Sequence, residues 1–102
     1  MATGRRGAKP LSRRDWLFGS RPRRLALEAL LAAGQDADWS KAGLARAAGV
    51  SPHGGIDEHV TGLVNIGLLE VHRGRYALAV PRPAYARSLE ELLAALAFLP
   101  DD

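Results

Sequence analysis

Ser40-Lys41-Ala42-Gly43-Leu44-Ala45-Arg46-Ala47-Ala48-Gly49-Val50-Ser51-Pro52-His53-Gly54-Gly55-Ile56 is the stretch on which the fold turns. Ser40 carries the side chain of an N-cap, and the Ala- and Leu-rich run from Lys41 to Ala48 behind it reads as a helix that Gly49 ends. Pro52 disfavours helix at Ser51 and two glycines follow, so residues 51 to 55 form a turn. A second helix runs from about Ile56 to Ile66. Ile56, Val60, Leu63 and Gly67 share one of its faces, while Asp57, Glu58, Thr61 and Asn65 point elsewhere.

Upstream, Leu27, Leu30, Leu31 and Gly34 recur at helical spacing from Arg23 to Ala33, with Ser20 as N-cap, Pro22 tolerated in the first turn and Gly34 closing the helix. Gln35 to Trp39 reads as a short loop. Trp16-Leu17-Phe18 is expected to form one helical turn before Gly19 and to pack its rings on the body; Trp16, Trp39 and Tyr76 are assigned to core and rim packing. Downstream, Leu69 to Arg73 and Arg75 to Val80 read as two strands joined at Arg73-Gly74, and Pro81 and Pro83 stop the sheet. Ser88-Leu89-Glu90-Glu91 matches a capping box opening a last helix, to about Leu99, with the stripe Leu89, Leu92, Leu93 and Leu96.

Charge divides the chain. Residues 1 to 24 hold eight bases against Asp15 alone, and the remaining 78 residues hold six bases against ten acids, within a formal net charge of +3. Residues 1 to 12, rich in Gly, Pro and Arg, read as a flexible basic arm on a mildly acidic body. With 47% apolar residues the body can bury one core, and with no cysteine it has no disulfide, thiolate-metal or thiol-nucleophile chemistry. No apolar run reaches the roughly 18 residues needed to cross a bilayer, and no apolar leader core follows the basic N-terminus. The expectation is a cytoplasmic, nucleoid-associated protein without membrane contact.

The order helix, short extended piece, helix, turn, helix, hairpin resembles the winged helix-turn-helix DNA-binding family of small microbial transcriptional regulators. Leu17-Phe18-Gly19-Ser20-Arg21-Pro22-Arg23 looks like the lead-in of many such proteins. Ala45-Arg46-Ala47-Ala48-Gly49-Val50-Ser51 looks like the core of the helix-turn-helix, where Ala45 is small at the helix crossing, Gly49 permits a left-handed turn and Val50 plugs the space beneath. Arg73-Gly74-Arg75-Tyr76 looks like a wing tip. The implied fold is mainly α with a small β-hairpin: a winged helix-turn-helix over residues 13 to 80, then a linker and added C-terminal helix over 81 to 102. The turn is one residue longer than the commonest form, which implies a looser bend.

The resemblance implies double-stranded DNA as partner, with the helix over 56 to 66 in the major groove and the wing over 69 to 80 on the backbone. The expected contacts are His53, Glu58, Thr61 and Asn65 from that helix and its turn, Arg73 and Arg75 from the wing, and Lys41 and Arg46 behind them. His72 would also lie on the wing. Residues 51 to 66 contain two acids and no Lys or Arg, so affinity must come from the wing, Lys41, Arg46 and the arm, where Arg5 and Arg6 suit phosphate or minor-groove contact. Asp57 and Glu58 also have a plain role in favouring their helix N-terminus.

The Leu89, Leu92, Leu93 and Leu96 stripe, with Phe98 and Leu99, is the expected homodimer contact, although folding back on the first Leu-rich helix would also use it. His53, His59 and His72 fit no metal-ligand spacing, and no phosphate loop, nucleophile elbow or paired catalytic acids occur, so neither a metal, a cofactor nor an enzyme is expected. The rival reading is a winged-helix protein-interaction module whose acidic body meets a basic protein. A third is a nucleoid or RNA-binding accessory factor acting through its arm.

Overall fold

The computed structural model describes residues 11–99. Within them the chain forms α1 (Arg13–Phe18), α2 (Arg21–Ala33), α3 (Lys41–Ala48), α4 (Asp57–Asn65), β1 (Leu69–His72), β2 (Arg75–Leu78) and α5 (Tyr85–Leu96). The described chain is mostly helical, with one antiparallel two-stranded hairpin.

Serine side chains start the first three helices. Ser12, Ser20 and Ser40 accept the backbone N–H of Asp15, Arg23 and Gly43 at 3.2, 3.0 and 2.9 Å, satisfying donors that a helix leaves open in its first turn. Ser12, the last residue of the expected arm, is therefore the cap of α1. Two helices end alike. Val50 N–H reaches Ala45 C=O at 3.0 Å and Leu68 N–H reaches Leu63 C=O at 3.1 Å, each over a glycine in the left-handed region, Gly49 at φ 74° and Gly67 at φ 82°. These are Schellman closures. The first aims the chain from α3 toward α4, and the second aims it from α4 into the hairpin.

Residues 49–56 connect α3 to α4. The connection is long but not the loose bend expected: Ile56 N–H bonds Ser51 C=O at 3.1 Å and Asp57 N–H bonds Gly54 C=O at 3.0 Å. A Cβ on Gly55 would stand 3.0 Å from that of Val50 and 3.2 Å from the Ser51 backbone nitrogen, so a side chain here would crowd the bend.

The core lies around α2, which touches α1, α3, α4, α5 and β2. Leu27, Leu30 and Leu31 meet Leu44 and Ala45 from α3, Ile56 and Leu63, and Leu68, Leu69 and Leu78 at the hairpin. Each buried leucine or isoleucine contributes about 1.5–3 kcal/mol of transfer free energy. In the hairpin Val71 pairs with Tyr76 and His72 with Arg75. Arg73 and Gly74 between them have φ of 52° and 75°, as a type I′ turn requires. β2 ends at Leu78, short of the expected Val80. Trp39, expected in a loop, joins its other edge: Trp39 N–H bonds Tyr76 C=O at 2.8 Å and Tyr76 N–H bonds Trp39 C=O at 2.9 Å.

Two expectations are corrected. α1 turns Asp15 and Phe18 inward, so Trp16 stands outside, 71% exposed, and is not a core residue. The capping box does not form: α5 begins at Tyr85, and Ser88 is an interior helical residue. Ala86 N–H instead bonds Pro83 C=O at 3.0 Å. Of the bases before residue 25, Arg13, Arg14, Arg21, Arg23 and Arg24 are helical.

Candidate nucleic-acid interface

α4 divides into two faces because 3.6 residues make a turn. His59 and Leu63 are buried, with Val60 partly covered, whereas Asp57, Glu58, Thr61, Val64 and Asn65 are exposed. The expected base-edge readers Glu58, Thr61 and Asn65 thus stand on a solvent-facing surface. His53 is exposed in the turn, its N–H on Ser51 Oγ at 3.0 Å. Arg5 and Arg6 lie outside the described residues.

The cations divide by whether the chain already holds them. Lys41 Nζ is 2.7 Å from Asp57 Oδ1, bracing the start of α3 against the start of α4. That hydrogen bond, opposed by burial and aided by the charge of Asp57, holds the Lys41 ammonium above the usual lysine value. Arg75 reaches Asp38, with Nε 3.3 Å from Oδ1 and an N–H to the backbone carbonyl at 3.0 Å. Arg46 and Arg73 are exposed and make no ion pair among the described residues. Arg73 stands at the hairpin tip in a left-handed conformation that Asn or Gly adopts more readily. His72 Nε2 faces Glu70 at 3.2 Å.

The basic run near the N-terminus serves folding as well as charge. Arg24 is 5% exposed and joins Asp15, itself 5% exposed, through Nε, while its Nη1 meets Glu28 Oε2 at 2.8 Å. Burial pushes the Asp15 carboxyl up, but hydrogen bonds from Arg24 and Ser12 and the charges of Arg24 and Arg21 outweigh it and hold the group below the ordinary aspartate range. Arg14 donates to the Leu99 carbonyl at 3.0 Å, tying α1 to the end of α5. Arg23 donates to the Phe18 carbonyl at 3.0 Å.

The α5 stripe is divided too. Leu93 and Leu96 are 8% and 7% exposed and spent within the chain, Leu89 packs partly against the core, and Leu92 is 41% exposed. Phe98 and Leu99 extend that outer surface.

Tyr85, not singled out from sequence, supports the α4 surface from behind. Tyr85 Oη donates to the Ile66 carbonyl at 2.6 Å, fastening the end of α4 to the start of α5, and burial raises the phenol's pKa. His59 is 6% exposed, and among the described residues neither its Nδ1 nor Trp39 Nε1 has a hydrogen-bond partner. Such a buried orphan costs about 1–3 kcal/mol. The spacing of His59 from Leu63, four residues, is the one sequence signal that it shares the buried face.

Among the described residues no helix is long and apolar enough to cross a membrane, and no cluster of three or more His, Asp or Glu could hold a metal ion. Comparison with protein-family models, curated proteins and solved structures finds no match to this chain.

Proposed function

We propose that the chain is a winged helix-turn-helix protein that binds duplex DNA and regulates transcription. The observation that carries this reading is the pairing of an exposed α4 face, bearing Thr61 and Asn65, with a hairpin tip that holds Arg73 in a left-handed turn. In this reading α3, residues 49–56 and α4 form the helix-turn-helix, α4 lies in the major groove, and β1–β2 is the wing. Arg46 and Arg73 supply phosphate contacts without giving up an intramolecular partner; Lys41 and Arg75 must share theirs with Asp57 and Asp38. Asn65 suits adenine, Glu58 accepts from a cytosine amino group, and Thr61 meets either a base edge or a thymine methyl. Arg5 and Arg6 add backbone or minor-groove contacts. A homodimer would align two half-sites, and Leu92, Phe98 and Leu99 are the exposed α5 residues for it.

Fluorescence anisotropy on random duplexes across a salt series tests the reading. Three to four neutralised phosphates give a slope of log affinity against log salt of about −3. Selection from a random pool should then enrich a defined site, and failure of the full chain to retain any duplex at low salt overturns the assignment.

A protein-docking module is the second reading, favoured by Asp57 and Glu58 on the exposed face and by the two cations already paired. It requires binding to a basic protein surface and none to DNA.

A further inference from the structure

A groove of about 400 Å³ opens beside α4. Phe18, Leu27, Leu63, Ile66 and Leu89 give it apolar walls, drawn from α1, α2, α4, the residue after α4, and α5. Its volume is that of a site for a small organic molecule, and such sites are mostly apolar with a few placed polar groups. Gly62 lines it too. Among the described residues two glycines lie inside helices. Gly43 is closed in, since a Cβ there would stand 3.1 Å from Ser40 Oγ, whereas a Cβ on Gly62 would meet nothing within 4 Å. Glycine weakens a helix interior relative to alanine. Gly62 thus gives up helix stability that the packing around it does not require, and it leaves the backbone of α4 bare where the groove runs.

The charges on the groove are of opposite sign. Arg23 and Glu58 both line it, both are exposed, and neither forms an ion pair among the described residues. Arg23 is nevertheless held, because its Nη1 donates to the Phe18 carbonyl at 3.0 Å, and the other N–H groups of the guanidinium fork suit a carboxylate. Glu58 only accepts, and so suits an ammonium. An anionic guest would satisfy Arg23 and be repelled by Glu58, and a cationic guest would meet the reverse. A guest bearing both signs at one end and hydrocarbon at the other answers the two charges and the walls together.

We infer that this groove binds a free α-amino acid with a large apolar side chain, its carboxylate on Arg23, its ammonium on Glu58 and its side chain against Leu27, Leu63 and Leu89. Glu58 is also the side chain that the DNA reading offers to a cytosine amino group, so an occupied groove takes it from the base. The binding itself stands apart from the DNA reading; this regulatory consequence rests on that reading.

Isothermal titration of the full chain, without DNA, with L-phenylalanine, 3-phenylpropanoate and 2-phenylethylamine tests the site; the second lacks the ammonium and the third the carboxylate. L-Phenylalanine should bind saturably and at least about threefold more tightly than either, the increment of one solvent-facing ion pair. Glu58→Gln should bring it down to the level of 3-phenylpropanoate while its advantage over 2-phenylethylamine stays, and Arg23→Gln should do the converse. Both side chains are exposed, so these variants keep the fold. Gly62→Leu grows into the groove from a position with room for it and should block all three ligands. The proposal is overturned by no saturable binding of L-phenylalanine, by equal affinities for the three ligands, by preferences that survive both charge variants, or by binding that survives Gly62→Leu in a folded chain. A DNA titration with and without L-phenylalanine is read separately: amino-acid binding without any DNA binding removes the regulator and leaves the site, and DNA binding without amino-acid binding removes the site and leaves the regulator.

Discussion

The corner between α1 and α2 and the surface formed by α4 and the hairpin contain the same kind of interaction, arginine or lysine against a carboxylate, in opposite surroundings. Asp15, Arg24 and Glu28 make their pairs where Asp15 and Arg24 are buried. Lys41 with Asp57 and Arg75 with Asp38 make theirs in water, each side chain 43% exposed or more. Charge near the helices is consequently of two kinds. At the corner it is committed, because releasing a partner strands an ion in low dielectric. On the α4 side it is lent, because water replaces the partner at little cost, and a phosphate can replace the water.

The largest effect expected from that contrast is at Asp15. Asp15→Ala leaves a buried guanidinium with only half-exposed Glu28, and should cost about 3 kcal/mol in chemical denaturation. Replacing both partners together, Asp15→Leu with Arg24→Met, should recover most of the loss. Recovery of none of it would show that the pair does more than compensate itself. The depressed Asp15 pKa gives a sign as well: its stabilisation is complete above the unfolded-state value of 3.8 and is lost as pH falls from there through the lower folded-state value. Acid unfolding in that window should flatten in the double variant.

On the lent side the effects belong to binding rather than stability. Asp57→Asn frees the Lys41 ammonium and removes a negative charge from the α4 surface, and should raise DNA affinity by about five- to tenfold at low salt. An unchanged or lower affinity would mean that α4 does not face the phosphates. Arg73→Ala should weaken binding uniformly across sequences and reduce the salt slope by about 1, while leaving the melting temperature almost unmoved. If its loss falls on some sequences only, the hairpin tip reads bases instead.

Smallest is Tyr85→Phe, which removes the hydroxyl fastening α4 to α5 and should cost about 1 kcal/mol. Hydrogen exchange at the end of α4 should rise with it. Exchange that stays level would move the support of α4 to the apolar contacts alone.

How far the residues announce these two regions differs. The serines at 20 and 40, the glycines at 34 and 49, and Arg73-Gly74 were readable because a cap or a tight turn acts over a few residues, and each marks the structural boundary it was expected to mark. The exposed positions on α4 followed from helical periodicity. The misreadings have a common cause. Ser88 carries a good capping pattern, yet α5 starts three residues earlier, where Tyr85 finds the Ile66 carbonyl from a distant part of the chain. Trp16 has the composition of a core residue, yet the Asp15–Arg24 pair helps set the rotation of α1 and turns the indole outward. The arginines before residue 25 look alike in a row, and only folding separates buried Arg24 from exposed Arg13 and Arg21.

Helix ends, turn chemistry and the apolar faces of the central helices were thus legible in residue order, since each depends on neighbours within a turn or two of the backbone. Which charges are buried, which leucines of α5 are spent on the core, how Trp39 joins the hairpin and that His59 lies buried behind α4 depended on packing. Those outcomes come from contacts between segments far apart in the chain, where burial and pairing depend on what lies opposite, and no local pattern encodes that.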